Sequence, residues 1–533
     1  MIAVEKVDKS YKNSSGKLNS FEGIVQRAAT ETDRIGSLRS KSGKTVRELF
    51  VIDGLSMWDV LSVEMALYRM PEWLSGKLGS TSRKYLLQEA YQKLKSLIWR
   101  PQKVTTLSGN NGDVLFLGFT WYMAREVLIP VCDILEQDKI LKPILLTHSF
   151  HKDQGELGYV EQIGIYRSRE SLKSAERIGK KVRKAWRAFN LGKNAERDFR
   201  TACNRSWRDL RIALLQSLKI NAGYILPDTI SLAFKILLQR RPAAIVSIDV
   251  ADPRTRIFTL IAKQLRIPTI QIQSGPIDPG CAEWFFCEDD HVLVHGKAAK
   301  SELIKHCVSP EKIIVTGSPK YDDLKNASEA GIRDLRKRFN IPNNNKIVVL
   351  ASIYSSMFHT SKEFSTADAI AGAMKKAVFQ SVSRQKNIFL IVKPHPLENI
   401  IETKSLITDF SNISFAESEE NIRPFIQSCD ALFTFGSTAT IDGIILGKPI
   451  VCPVFNGWIF SDFFVKSGAV ATPSSELEID ELLLEIERNS GEEIIRKYSN
   501  RRTLFLDEII KNDGVSASRA IVEFIYKVAS IKY

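Results

Sequence analysis

Short apolar runs rich in β-branched residues recur along this chain, separated by stretches with helical spacing. The first series of such runs is Phe50–Ile52, Asp113–Phe119, Lys142–His148, Ala243–Ile248, Ile267–Ile272, His291–His295 and Ile313–Thr316, and each reads as a strand. Trp58–Met70, Trp121–Glu136, Thr255–Leu265 and Lys297–His306 read as helices between them. This alternation predicts a parallel sheet with right-handed crossovers. A second series comprises Lys346–Ala351, Ile388–Val392, Ala431–Phe435 and Ile450–Cys452, with helices over Thr366–Ser383 and through Leu446. Gly447-Lys448-Pro449 stops the latter helix. The expected fold class is therefore α/β, with two Rossmann-like, doubly wound parallel-sheet domains.

The expected boundaries follow from composition. Residues 1–48 form a polar arm with few apolar anchors, and residues 49–335 a first domain. Pro342 and three consecutive asparagines mark a flexible joint. Residues 345–505 form a second domain, and 506–533 a helical tail that packs on the first. A basic, helical insertion spans about 166–219, with Ile178, Val182, Trp186 and Phe189 at helical spacing and a break near Asn190. The helix at 81–103 is also basic.

The chain has 533 residues, 44% hydrophobic and 26% charged, an ordinary globular composition. No apolar run is long enough to span a bilayer, and the first residues lack a signal-peptide core. A cytoplasmic protein is expected. The seven cysteines form no C-x-x-C pair, so no structural metal is expected. The net charge of +14 calls for an anionic partner. No nucleic-acid-binding motif is present. That leaves anionic substrates, or an anionic membrane surface met by the basic helices of 166–219. A solvated helical face explains the same charge pattern, and both readings stand.

Two strand ends carry phosphate chemistry. Lys393-Pro394-His395-Pro396 follows the strand Ile388–Val392, and its prolines hold His395 on a rigid loop. Gly436-Ser437-Thr438 follows Ala431–Phe435 and opens a helix, where backbone N–H groups and hydroxyls favour anions. Ser352, Tyr354, Ser355 and Ser356 follow the first strand of the same domain, and Phe455–Trp458 forms a loop able to frame a base or sugar. Open α/β sheets bind ligands at the carboxyl ends of their strands.

These motifs, VKPHP followed by FGSTATIDGIILGKPIV, resemble the nucleotide-binding half of GT-B glycosyltransferases of bacterial surface polysaccharides. The resemblance takes in capsule and O-antigen β-Kdo transferases, sialyltransferases with an HP motif, and CDP-glycerol glycerophosphotransferases. It implies the GT-B arrangement of two domains facing a cleft. It also implies donor-phosphate contacts for His395, Ser437 and Thr438. Residues 243–324 are similar to the end of the first domain in the same enzymes, through IPTIQIQSG, VLVHGKAAKSEL and KIIVTGSPKYDDL. Those enzymes commonly carry Gln-His-Gly where this chain has Gln273-Ser274-Gly275, so that histidine's role is lost here. Gly317-Ser318-Pro319 resembles the family's turn near the domain junction.

Transfer needs stabilisation of the leaving group and a base for the acceptor hydroxyl, or a carboxylate nucleophile. Asp252, Asp249 and Asp53 are the candidate carboxylates, in that order, because each follows a strand of the first domain. All three also suit turn or cap chemistry. Asp59 and Glu64, after the first strand, are further candidates to face an interdomain cleft, and Asp59 suits a helix-start charge equally. Arg254 and Arg256 suit the carboxylate of an acidic sugar such as Kdo or sialic acid. His148 and His151 line a cleft or lie in a loop. No D-x-D triplet follows a strand, which favours a metal-independent mechanism without a cofactor. The leading expectation is a transferase moving a sugar from a CMP-sugar donor to a glycan or lipid-linked acceptor of a growing surface polymer. The alternatives are a CDP-glycerol glycerophosphotransferase, a UDP-sugar transferase or 2-epimerase, and a non-catalytic nucleotide- or glycan-binding protein.

Overall fold

The computed structural model describes residues 21–70, 112–149, 157–190, 196–197, 199–201, 206–277, 281–353, 362–395, 398–407, 410–455, 458, 462–511 and 514–530. The basic helix at 81–103, His151, Tyr354, Ser355, Ser356, Pro396, Asn456 and Gly457 lie outside these residues. So does the expected arm up to residue 20. The chain forms two compact units, Met1–Pro319 with Asp513–Tyr533, and Lys320–Asn512.

In the first unit, helices Phe21–Gly36 and Val46–Leu49 precede a hairpin of β1 (Val51–Ile52) and β2 (Leu55–Ser56), paired antiparallel. Asp53 and Gly54 turn it with φ of 51° and 86°, the left-handed pair that a tight hairpin requires. The sequence pattern read Phe50–Ile52 as part of the parallel series, and the structure corrects this. Residues 21–48 are also better anchored than their polarity suggests: Ala28, Ile35 and Val46 are buried in the first core cluster.

The main sheet of this unit comprises β3 (Asp113–Leu117), β4 (Lys142–Thr147), β5 (Val160–Gln162), β6 (Ala244–Ser247), β7 (Thr269–Ile272), β8 (His291–Val294) and β9 (Ile313–Val315). Their order is β5-β4-β3-β6-β7-β8-β9, and every pairing is parallel. The strand period of two sends Leu115 and Leu117 to one face and Val114 and Phe116 to the other. Both faces are covered, so β3 is buried throughout.

Helices Arg169–Ala188, Leu226–Arg240 and Pro253–Gln264 supply buried residues to the first face. The apolar stripe of the basic insertion is therefore used internally. Ile178, Val182, Trp186 and Phe189 are all buried, and Phe189 packs edge-on against Phe50 and Trp207 with centroids 5.5 and 4.8 Å away. Lys173, Arg177, Lys180, Lys184 and Arg187 of the same helix point outward. The second face is covered by helices Trp121–Asp138 and Ala517–Ser530. Asp138 accepts bonds from Arg519 (2.5 Å) and Tyr526 (2.9 Å), which fastens the last helix.

The second unit holds β10 (Lys346–Ala351), β11 (Ile388–Lys393), β12 (Ile413–Phe415), β13 (Ala431–Thr434) and β14 (Ile450–Val451), all parallel in the order β12-β11-β10-β13-β14. The Asn-rich stretch lies inside this unit, not at its border. Asn345 N–H donates to the Pro342 carbonyl (3.1 Å), and Arg336 donates to the carbonyls of Pro342 and Asn345. Those bonds make it a fixed turn. Among the described residues no helix is long and apolar enough to cross a membrane.

Asp289 precedes β8 and is 4% exposed. Burial pushes its carboxyl up to about 7, with Arg256 opposing. The folded chain then keeps a proton that the unfolded chain releases near pH 4. Stability should be highest at low pH in this window and fall as pH rises from about 4 to 7. Melting at pH 5 and at pH 8 should differ by roughly 5 °C in wild type and by much less in Asp289→Asn. Equal slopes for the two proteins would contradict this assignment.

Candidate functional site

In each parallel sheet the winding reverses once. In the second unit the chain runs from β10 outward through β11 and β12, then crosses to the other side of β10 for β13 and β14. The crevice therefore lies at the carboxyl ends of β10 and β13. Ser352 ends β10, the Gly436–Thr438 turn ends β13, and His395 follows β11 on the opposite flank. Two strand spacings, about 10 Å, separate β11 from β13.

The loop that carries His395 is held by a residue the sequence pattern did not single out. Glu398 accepts bonds from Ser352 Oγ (2.8 Å), Lys375 Nζ (2.5 Å) and Thr403 Oγ1 (2.7 Å) on one oxygen. Its other oxygen accepts the His395 backbone N–H (3.0 Å), and its own N–H donates back to the His395 carbonyl (2.9 Å). The Lys375–Glu398 pair is buried. Burial lowers the His395 pKa, and nearby Lys393 adds to this while Glu398 opposes it. The imidazole is then neutral at pH 7, able to donate or accept one hydrogen bond.

The sequence places Lys393 beside His395 as a phosphate-binding residue, but the structure turns it inward. Its ammonium, 4% exposed, donates to the carbonyls of Pro394 (2.7 Å) and Ser418 (2.8 Å), so it braces the loop from beneath. The amides of Gly436 and Ser437 both donate to Thr434 Oγ1 (3.1 and 3.0 Å), and Ser437 Oγ accepts the Ala439 N–H. Gly436 has φ 99°, which lets the chain leave β13 sharply. The turn thus offers hydroxyls more than bare amides: Thr438 is exposed and Ser437 half-buried. One helical turn on, buried Asp442 pairs with Lys320 (3.2 Å) and Arg423 (3.1 Å). Trp458 is buried and donates to the Phe435 carbonyl (3.2 Å), bracing that turn.

The first sheet reverses between β3 and β6. Thr120, after β3, donates to Asp249, after β6, at 2.8 Å, directly across that crevice. Asp249 also accepts the N–H groups of Ala251 and Asp252. Burial raises its pKa, and Asp252 adds to this. Asp252 is engaged otherwise: it caps helix Pro253–Gln264 and pairs with Arg254 at 2.5 Å. Asp53 sits on the hairpin turn, paired with Lys181 and off the parallel sheet. Asp59 pairs with Arg47 (2.9 Å), and Glu64 accepts from Ser217 and Asn221.

Neither arginine is free to clamp a sugar carboxylate. Arg256 is 4% exposed and donates to the carbonyls of Asp59, Val250 and Phe286. Arg254 is held by Asp252 and lies over the Phe119 ring. His148 follows β4, and burial lowers its pKa. Gln273 bonds the Gly275 carbonyl and receives the His295 N–H, while the His295 ring bonds the Gln273 carbonyl (2.9 Å). A histidine therefore does stand beside Gln273-Ser274-Gly275, but it comes from the end of β8. Gly317 has φ 88°, and buried Ser318 follows it at the end of β9. Among the described residues no cluster of His, Cys, Asp and Glu has the make-up of a metal site.

Residues 288–527 match the CDP-Glycerol:Poly(glycerophosphate) glycerophosphotransferase family. The matched stretch contains the whole second unit, β8, β9 and most of the final helix. It points to a transferase of the glycerophosphotransferase and glycosyltransferase type. It favours the CDP-glycerol alternative over a CMP-sugar donor and lends nothing to Kdo or sialic acid. Comparison with curated proteins finds no match. Among solved structures, the wall teichoic acid polymerase TagF is 12% identical with a TM-score of 0.47, covering 87% of this chain and 98% of its own. The S. aureus MnaA–UDP co-structure is 12% identical with a TM-score of 0.47, covering 79% and 98%. UDP-GlcNAc 2-epimerase from Neisseria meningitidis, bound to UDP-GlcNAc, is 14% identical with a TM-score of 0.47, covering 78% and 99%. No residue role is carried over from these.

Removing Glu398 leaves Lys375 buried without its counter-charge. Glu398→Ala should destabilise the second unit by about 3 kcal/mol and loosen the His395 loop. Denaturant melts of variant and wild type check the first effect, and nucleotide titration the second. Unchanged stability would mean that Glu398 does not hold the loop.

Proposed function

We propose that this chain is a transferase that takes a CDP-linked group, with CDP-glycerol the leading donor, and passes it to a hydroxyl of a growing surface polymer. The observation that supports this most is the family match across the whole second unit, at whose β10–β13 crevice His395, Ser437 and Thr438 flank the ligand position. In the proposed step the acceptor oxygen bonds to the glycerol-bearing phosphorus. The bond from that phosphorus to the bridging oxygen breaks, and CMP leaves. Neutral His395 and the hydroxyls of Ser437 and Thr438 donate to phosphate oxygens as charge builds. Asp249 takes the acceptor proton; among the described residues it has no cationic partner in direct contact, unlike Asp252. Transfer is proposed to need no metal. The outward lysines and arginines of helix Arg169–Ala188 support contact with an anionic surface, now by charge alone.

Thermal shifts with CMP, CDP, UDP and GDP should show the largest stabilisation with CDP, lost in His395→Ala. Product analysis with CDP-glycerol should show CMP release that EDTA does not change. A UDP-specific shift would move the assignment to a UDP-sugar enzyme, and no shift with any nucleotide would overturn the site.

Turnover should also depend on pH in one direction. Asp249 works only as the carboxylate, and its pKa is raised. The acid limb of kcat/KM should therefore fall at a pH above the usual carboxylate range. Asp249→Asn should lose at least about a hundredfold in kcat with CDP affinity unchanged; a variant of normal rate would remove Asp249 from the mechanism.

A further inference from the structure

Thr45, Ser56, Ser168, Ser206, Ser328 and Ser475 stand at helix N-termini, and each accepts the backbone N–H three residues on. Thr120 and Thr438 hold the same position and make no such bond. They open the helices that follow β3 and β13, so each flanks a reversal of winding. Thr438 is one of the hydroxyls proposed above for the donor phosphate. Thr120 turns its hydroxyl elsewhere: it donates to Asp249 Oδ2 at 2.8 Å, a residue 129 positions further along the chain. Helix Trp121–Asp138 therefore begins without the side-chain cap that a threonine there normally supplies. Local rules broken in this way concentrate at functional sites.

The rest of the Asp249 geometry shows what that bond does. Oδ1 accepts the N–H groups of Ala251 (3.0 Å) and Asp252 (3.1 Å). An ionised carboxylate has about two lone-pair sites on each oxygen, so Oδ1 is filled. Oδ2 holds the Thr120 bond and keeps one site open. The three donors come from the ends of β3 and β6, so the carboxylate is gripped from both sides of the crevice. All three favour the ionised form, against the burial that raises its pKa. Without the hydroxyl, Oδ2 would lose its fixed partner and the carboxylate could turn about Oδ1.

We propose that Thr120 is a positioning residue for the transfer step: it orients Asp249 and keeps it ionised, so that the open site on Oδ2 meets the acceptor hydroxyl. This rests on the transferase reading above and names the atom that takes the proton. The acceptor O–H proton passes to Oδ2, the electron pair of the acceptor oxygen forms the bond to phosphorus, and the bridging oxygen leaves with CMP. Thr120 acts through Asp249 and makes no bond to the substrate.

The test uses the full chain and follows CMP release from CDP-glycerol with a glycerol phosphate oligomer as acceptor. Thr120→Val should lower kcat roughly tenfold, with KM for CDP-glycerol and CDP affinity within about twofold of wild type. Thr120→Ser, which returns the hydroxyl, should recover most of the rate. In an Asp249→Asn background Thr120→Val should bring no further loss, because both act through one group. Melting curves confirm that the variants fold. A second readout needs no turnover. Carboxyl NMR should place the Asp249 titration higher in Thr120→Val than in wild type, and back at the wild-type position in Thr120→Ser. Asp252 and Arg254 beside it and the phenols of Tyr68 and Tyr122 are common to all three proteins, so the difference isolates the hydroxyl. A Val variant of normal kcat overturns the proposal, as does an equal loss in Thr120→Ser, a further loss on top of Asp249→Asn, or an unmoved titration. A wild type that turns over no CDP-glycerol would strike the transferase reading instead, and the titration would then decide the hold of Thr120 on Asp249.

Discussion

The dominant constraint is the single reversal of winding in each parallel sheet. Parallel pairing sends every strand's carboxyl end to one edge, and reversal makes two neighbouring crossovers depart in opposite directions. A gap at the shared edge is unavoidable. In the first unit Thr120 and Asp249 meet across it. In the second, Ser352 and the Gly436–Thr438 turn end its two strands. The apolar strand residues fill the sheets and are shielded on both faces. Polar chemistry therefore concentrates where the backbone cannot close.

Not every polar residue at those edges is available to a ligand. A buried charge must find a partner, and several strand-end residues have found theirs within the loops. Lys393 is tied to two carbonyls, Arg256 to three separate segments, and Gln273 to the end of β8. These residues shape the loops that carry the reactive groups. Asp249 and Asp252 show the contrast within four residues: one faces a hydroxyl and amides, the other a guanidinium.

The central strands were legible because each is a short apolar run, buried on both faces. The edge strands Val160–Gln162 and Ile413–Phe415 were not, since polar residues interrupt each three-residue strand, whereas the equally short edge strand Ile313–Val315 is wholly apolar. The hairpin at Asp53 was misread because an apolar run before a turn looks alike in either sheet type. His395 and the Gly-Ser-Thr turn were visible as local motifs. Glu398 was invisible as a hub, because Ser352, Lys375 and Thr403 reach it from three other places in the chain. The roles of Lys393 and Arg256 likewise depend on carbonyls that only the fold brings near.

The last helix, Ala517–Ser530, belongs to the unit that began the chain, and its Ile521, Val522 and Ile525 are fully buried there beside Val114 and Phe116. The intervening unit must emerge from the ribosome before that face can be closed. During synthesis the part of that face not covered by helix Trp121–Asp138 therefore remains greasy and unshielded while almost two hundred further residues are added, Lys320 to Asn512. A nascent chain of this architecture has a long window in which chaperone capture competes with self-association, and its first unit matures last.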